Sequence, residues 1–200
     1  MKDKEFYSHQ GFSVTGYLRG ILRLVTTGRA QGGSTLTQQL VKNVLLSSDR
    51  TITRKIKELV LSMQIEKKFS KDEILQMYLN EAPYGGTAIG IAAASERYFG
   101  VEPRELNLTQ AAILSGMPQA PSRYSPYGSD KQAYVARSTS VLRRMREDGY
   151  IDKAAEEQSV KELPEVKFRT QSAALKAPHF VFYVKDQLVD LLGEAVVEEG

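Results

Sequence analysis

The sequence contains no cysteine, no tryptophan and only two histidines among its 200 residues. The missing cysteine excludes disulfides, thiolate nucleophiles and Cys-based zinc sites. The two histidines, His9 and His179, are too far apart to form a ligand pair of short spacing. No apolar run reaches the ~18–20 residues that span a bilayer, and no signal peptide is visible. Between residues 12 and 160 there is no sustained period-two alternation, which argues against a sheet-based domain. Hydrophobic residues make up 42% and charged residues 26%, enough apolar material for a buried core and against wholesale disorder.

Charge is plentiful but unevenly placed. From Arg19 to Lys71 there are eleven Lys or Arg and three acids, a segment of about +8 in a chain of net +3. From Tyr150 to Gly200 there are six basic and ten acidic residues, about −4. A basic half of this kind points to an anionic ligand or surface, and a solvated helix face is the bland alternative.

Apolar spacing predicts a chain of helices. Residues 12–28 form an amphipathic helix, with Arg19 and Arg23 off its apolar face. Thr35-x-x-Gln38 fits a capping box, followed by Leu36, Leu40, Val41, Val44 and Leu45 at helical intervals. Ser47-Ser48-Asp49 caps the next helix, whose apolar stripe is Ile52, Ile56, Leu59, Val60 and Met63. Ser70-x-x-Glu73 opens a helix through Leu79. Pro83 and Gly85-Gly86 make a turn, and Ala88 to Phe99 is helical up to Gly100. Thr109 to Ser115 is a short helix, a proline-rich loop follows from Met117 to Pro126, Ser129-x-x-Gln132 opens a helix closed by Gly149, and Asp152 caps another. Lys161 to Lys176 reads as a linker or short strand, and an apolar helix begins at Pro178. The fold class is all-α, with a short mixed segment near the carboxyl end. The domains read as 1–158, then 159–200 as a linker and the beginning of a truncated second domain, and the opening at Met1 looks like that of a clipped fragment.

Three stretches carry chemistry. Gln31-Gly32-Gly33-Ser34-Thr35 before a helix presents backbone N–H groups that suit an anion. Gln38 and Lys42, four apart, share a face expected to be free for a ligand. Arg54 and Glu58 are i,i+4 neighbours, which reads either as a surface ion pair or as a carboxylate set among cations where phosphate oxygens bind. Around Asp3 and His9, a lone histidine is usually structural or surface.

Together these stretches resemble the peptidoglycan glycosyltransferase family (glycosyltransferase family 51) of class A penicillin-binding proteins. Five blocks match in order: Asp3-x-x-Phe6-x-x-His9-x-Gly11, Gln31 to Gln39, Arg54-Lys55-x-x-Glu58, Lys68 to Asn80, and Ala112 to Gly116 with Pro118, Pro121, Tyr124 and Pro126. The resemblance covers about residues 2–155, and the segment from Ala177 onward is similar to the linker into a transpeptidase domain. It implies a lysozyme-like helical fold and polymerisation of lipid II into β-1,4 glycan strands, inverting at the anomeric carbon and releasing undecaprenyl diphosphate. It places catalysis at position 2, Asp3 and Glu58. It assigns substrate binding to Ser34, Thr35, Gln38, Gln39, Lys42, Asn43, Arg54, Lys55 and His9. It requires no organic cofactor and makes a divalent cation, magnesium or manganese, a candidate at Glu58. Partners would be lipid II, the growing strand, the membrane surface through residues 12–28 and other cell-wall synthesis proteins, but not nucleic acid. The location would be the outer face of the bacterial cytoplasmic membrane, with the anchor helix missing from this chain.

One departure bears on activity. The family's first catalytic glutamate falls at position 2, where this chain has Lys2, and an ammonium is no substitute for a carboxylate base. The chain is therefore expected to bind substrate-like lipids and to polymerise poorly. Gln76, where relatives often carry an acid, is expected to affect packing. The competing readings are a lysozyme-like or lytic-transglycosylase enzyme, which needs no diphosphate cradle, a catalytically dead lipid II-binding scaffold, and a nucleic-acid module, which the acidic carboxyl half disfavours.

Overall fold

The structure, a computed structural model, describes residues 3, 5–12, 26, 34–45, 51–128, 130–170, 178–193 and 197. Most of the predicted helix over 12–28, the Gln31 to Gly33 turn, the Ser47 to Asp49 cap and Lys2 lie outside the described residues. The chain divides into two compact units, Met1–Phe168 and Arg169–Gly200.

Among its described residues the first unit is built from helices and the loops that join them. Its helices are α1 (Leu36–Leu45), α2 (Ile52–Lys68), α3 (Lys71–Glu81), α4 (Ile91–Phe99), α5 (Leu108–Gly116), α6 (Lys131–Glu147) and α7 (Lys153–Glu162), with single 3-10 turns at Pro103–Glu105, Met117–Gln119 and Leu163–Glu165. Among the described residues the only strand-like pairing is the antiparallel bridge Pro83 to Ile89, which closes the turn predicted at Gly85-Gly86.

Local chemistry sets the helix ends. Thr35 and Gln38 bond reciprocally at the start of α1, Thr35 N–H to Gln38 Oε1 at 3.3 Å and Gln38 N–H to Thr35 Oγ1 at 3.2 Å. Ser70 and Glu73 form the same box on α3. The cap of α2 is Thr51, whose hydroxyl accepts from Arg54 N–H at 3.1 Å. For α6 it is Asp130, accepting from Gln132 N–H, one residue past the predicted Ser129. Helix α4 begins at Ile91 rather than Ala88. Gly90 (φ +85°) turns the chain there, and a side chain at that position would meet the Asn80 carbonyl oxygen at 2.6 Å.

Two apolar clusters hold this unit. The larger gathers Tyr84, Tyr98, Ile113, Leu114, Met117, Leu142 and Leu163. Tyr98 stacks on Tyr127 at 5.3 Å, and Tyr134 meets Phe168 edge-on at 5.3 Å. These contacts carry the unit past the division drawn at 158/159. Leu163 is fully buried, so the segment from 161 to 168 is a packed turn and tail instead of a strand. The smaller cluster joins Phe6, Leu36, Leu40 and Ile74, tying the amino-terminal loop to α1 and α3.

The second unit contains helix α8 (Pro178–Leu192), as the apolar spacing predicts, with Phe180, Tyr183 and Leu191 exposed. No helix among the described residues is long and apolar enough to cross a membrane.

Candidate active site

Helix α2 is amphipathic in reverse. Its predicted apolar stripe is largely exposed: Ile52 is 82% accessible, and Ile56, Val60 and Met63 also face out. Its buried residues are Glu58 and Ser62. Glu66, one further turn along, has a side chain only 4% exposed. A hydrophobic stripe would normally be the buried one; here polar residues at 58, 62 and 66 face inward, onto the amino-terminal loop and the start of α1.

Glu58 pairs with Lys55 through Oε1, one turn back on α2, and not with Arg54. The Lys55 ammonium also donates to Ser34 Oγ at 2.9 Å. Ser34, Lys55 and Glu58 thus form one connected group at the amino-terminal end of α1, where the helix leaves N–H groups without intrahelical partners. Arg54 stands one residue before Lys55, and its buried Nε has no hydrogen-bond partner among the described residues. A buried unpaired donor costs roughly 1–3 kcal/mol, so an arriving acceptor would relieve it.

The other expected site residues divide. Gln38 is not free to meet a ligand. It is fully buried, and its amide is consumed by Thr35 N–H and by the Gly11 carbonyl at 3.2 Å. Thr35 is equally committed, donating to the same carbonyl at 3.1 Å. Asp3 is buried and accepts from the Leu36 backbone N–H at 2.9 Å and from His9 Nε2 at 2.9 Å, so it secures the loop to α1. His9 has both ring nitrogens engaged, since Gly11 N–H donates to Nδ1 at 3.1 Å, which leaves none for a ligand. Lys42 and Asn43 are exposed on α1. Among the described residues no hydrogen bond or ion pair joins Lys42 to Arg54, Lys55 or Glu58; the connected group is Ser34, Lys55 and Glu58.

Gln39 faces elsewhere. It lines a cavity of about 350 Å³ with Tyr78, Tyr84, Ser115, Gln119, Arg137 and Tyr150. Burial pushes the phenols of Tyr78 and Tyr84 up, so both remain neutral donors. Arg137 donates to the Gly116 carbonyl at 3.2 Å, and burial draws its guanidinium downward without discharging it. An apolar floor with neutral donors, the Arg137 guanidinium and the Asp148 carboxylate suits a sugar. Tyr84 and Arg137 were not singled out from sequence, because nothing in their spacing marks them as lining a cavity. As for a divalent ion, no group of three His, Asp or Glu gathers among the described residues, and Glu58 already faces an ammonium. The described side chains do not fit a metal site.

Comparison with known proteins identifies the family. The family model described as Transglycosylase matches residues 1–146. Penicillin-binding protein 1A of Escherichia coli (strain K12) is 38% identical over 200 residues, all of this chain and 23% of that protein. Penicillin-binding protein 2a of Streptococcus pneumoniae serotype 2 is 46% identical over 155 residues, 78% of this chain and 21% of that protein. The crystal structure of penicillin-binding protein 1A from Haemophilus influenzae superposes with a TM-score of 0.52 at 27% identity, covering 80% of this chain and 20% of that one. The chain thus belongs to the transglycosylase family, as the glycosyltransferase domain of the class A penicillin-binding proteins, enzymes of cell-wall synthesis. It spans less than a quarter of the length of these relatives.

Proposed function

We infer that this domain extends a glycan strand from a polyprenyl-diphosphate donor, with lipid II as acceptor. The observation that carries the reading is the Ser34–Lys55–Glu58 group beside Arg54, whose Nε has no hydrogen-bond partner among the described residues. In the reaction, the acceptor 4-hydroxyl oxygen attacks the donor anomeric carbon and the bond from that carbon to the diphosphate oxygen breaks. The hydroxyl proton passes to a base, and undecaprenyl diphosphate leaves. Negative charge grows on the diphosphate as that bond breaks, and fixed cations stabilise it most effectively there. Lys55 and Arg54 supply those cations. Glu58 holds the Lys55 ammonium in place, so the carboxylate acts on the leaving group through its neighbour. The cavity walled by Gln39, Tyr84 and Arg137 would seat sugars of the strand.

Position 2, next to the anchored Asp3, is where the proton acceptor is expected, and lysine there leaves the acceptor hydroxyl without a carboxylate base. The domain therefore binds its substrates and turns them over slowly. Association with the outer face of the cytoplasmic membrane accords with a lipid-linked substrate. The test is lipid II polymerisation followed on gels, beside a binding titration with a polyprenyl diphosphate in micelles. Binding that is lost in Lys55→Met, with weak polymerisation by the parent, supports the reading. Binding unaffected by Lys55→Met overturns it. Soluble fragments released from purified cell wall would favour a cleaving enzyme instead.

A further inference from the structure

Arg137 sets a cation into a wall that is otherwise largely apolar, beside Leu79, Pro118, Val141 and Met145. A guanidinium carries five N–H donors. Among the described residues Arg137 uses one of them, on Nε, to the Gly116 carbonyl at 3.2 Å. That acceptor is neutral, so the charge has no counter-ion there. Asp148 lines the same cavity but makes no ion pair with Arg137. The fork is nonetheless held in place. The Tyr124 ring lies 5.8 Å from the guanidinium carbon. A side chain at Gly116 would meet Arg137 Cγ at 2.8 Å, so the glycine makes room for the arginine stem. Burial draws the guanidinium downward, and Arg144 on the same helix adds to that pull, so an arriving anion would offset both.

The chemistry of the wall narrows the anion. A planar guanidinium pairs with a carboxylate through two parallel hydrogen bonds. A phosphate carries more charge than one cation balances, and Asp148 on the same wall would repel it. A carboxylate needs the one cation alone. The apolar lining then suits acyl and alkyl carbons, while Gln39 and Asp148 supply acceptors for amide N–H and hydroxyl groups. We propose that this cavity selects a sugar bearing an amino-acid or short peptide substituent with a free carboxylate, and that Arg137 is the specificity-determining residue that receives it. A free organic acid presents the same carboxylate without the sugar. Leu36 and Gln39 bring the cavity to the first turn of α1, the helix whose start carries Ser34. That the sugar belongs to lipid II or its strand rests on the glycosyltransferase reading; the carboxylate site does not.

The test is calorimetric titration of the full chain with N-acetylmuramyl-L-alanyl-D-isoglutamine, which has one free carboxylate, and with its uncharged methyl ester. Thermal melting establishes folding. The parent binds the acid about tenfold or more tighter than the ester, the scale of a charge-assisted hydrogen bond. Arg137→Gln binds the two alike, and Arg137→Lys, which keeps the charge without the fork, retains part of the preference. A merely structural arginine would alter both affinities and leave their ratio unchanged. Should Arg137→Gln not fold, Gly116→Ala, which displaces the arginine stem at constant charge, also lowers the ratio. A parent that binds neither probe or both equally, or a folded Arg137→Gln with the parental ratio, overturns the proposal. Sodium acetate as competitor separates the sources. Displacement of the acid at equal concentration supports a free organic acid as the ligand, and failure to displace it supports the sugar-linked one. Absence of polymerisation by Lys2→Glu would refute the polymerase reading while leaving the acid-to-ester ratio to decide this one.

Discussion

Removing either end of the Lys55–Glu58 pair should have unequal consequences. Glu58 is 3% exposed at its side chain and Lys55 is 41% exposed. In Lys55→Met the carboxylate stays buried with its cation gone, and a buried charge stripped of its partner costs ~3–5 kcal/mol. Because Lys55 borders solvent, the low end applies, about 3 kcal/mol, or a fall in Tm of roughly 6–12 °C for a domain of this size. In Glu58→Gln the buried group becomes a neutral amide of the same shape, and the freed ammonium can turn into water. The change in stability should be within ~1 kcal/mol. Thermal melts of both variants, with the double variant closing the cycle, measure this directly. Equal losses in the two single variants would refute the assignment of Glu58 as a buried carboxylate held by Lys55. In polymerisation assays in a Lys2→Glu background, both variants should be inactive, although only one is unstable.

Three further outcomes follow from the same structure. Gln38→Ala should cost about 1–3 kcal/mol by orphaning the Thr35 N–H, while the folded protein keeps its affinity for a polyprenyl diphosphate; lost affinity at full stability would restore Gln38 as a ligand contact. Lys2→Glu should raise lipid II polymerisation by about 10²-fold or more, the usual scale of a positioned general base, as read on gels. The Glu162 carboxyl is held below the ordinary range by hydrogen bonds from Thr109 and then Gln158. Its contribution is therefore present above the unfolded value and lost as pH falls through the folded one. Thr109→Val should be less stable than the parent at neutral pH, with the gap closing toward low pH in denaturation midpoints.

Much of this fold could be read directly, and the reasons are local. Capping boxes at Thr35 and Ser70, the left-handed Gly100 and the Asp152 cap act within three or four residues, so spacing suffices to find them. The glycine-rich start of α1 and the Arg54-Lys55-x-x-Glu58 block were equally visible. What spacing does not encode is which partner a side chain selects. Arg54 and Lys55 were both within reach of Glu58, and the choice of Lys55 depends on Ser34, 21 residues away. Gln38 shares a helical face with Lys42, yet it is spent on the Gly11 carbonyl, 27 residues back. The stretch from 161 to 168 showed short alternation, but Leu163 and Phe168 answer to helices α6 and α4 across the core.

The reversal of α2 has the most to teach, because there the usual rule gives the wrong face. An apolar stripe is buried when the alternative is water and the facing surface is itself apolar. Here the facing surface is the start of α1 and a loop that presents Gly11 C=O, Thr37 and His9, all of which need partners. Gly11 C=O alone accepts from Thr35, Gln38 and Ser62, the last at 3.3 Å. Helix α2 meets that surface with Ser62, which reaches the Gly11 carbonyl, and with Glu66, which accepts from Thr37 Oγ1; an apolar residue at 66 would leave the Thr37 hydroxyl orphaned at roughly 1–3 kcal/mol. The exposed positions Ile52, Ile56, Val60 and Met63 are then a consequence of which face the site required. Glu58 and Glu66 lie two turns apart on this one helix, the first against Lys55 and the second against Thr37 and Lys71, 3.9 Å from the His9 ring. On the reading proposed above, a single helix then serves both the cations that would receive the departing diphosphate and the loop that holds Asp3.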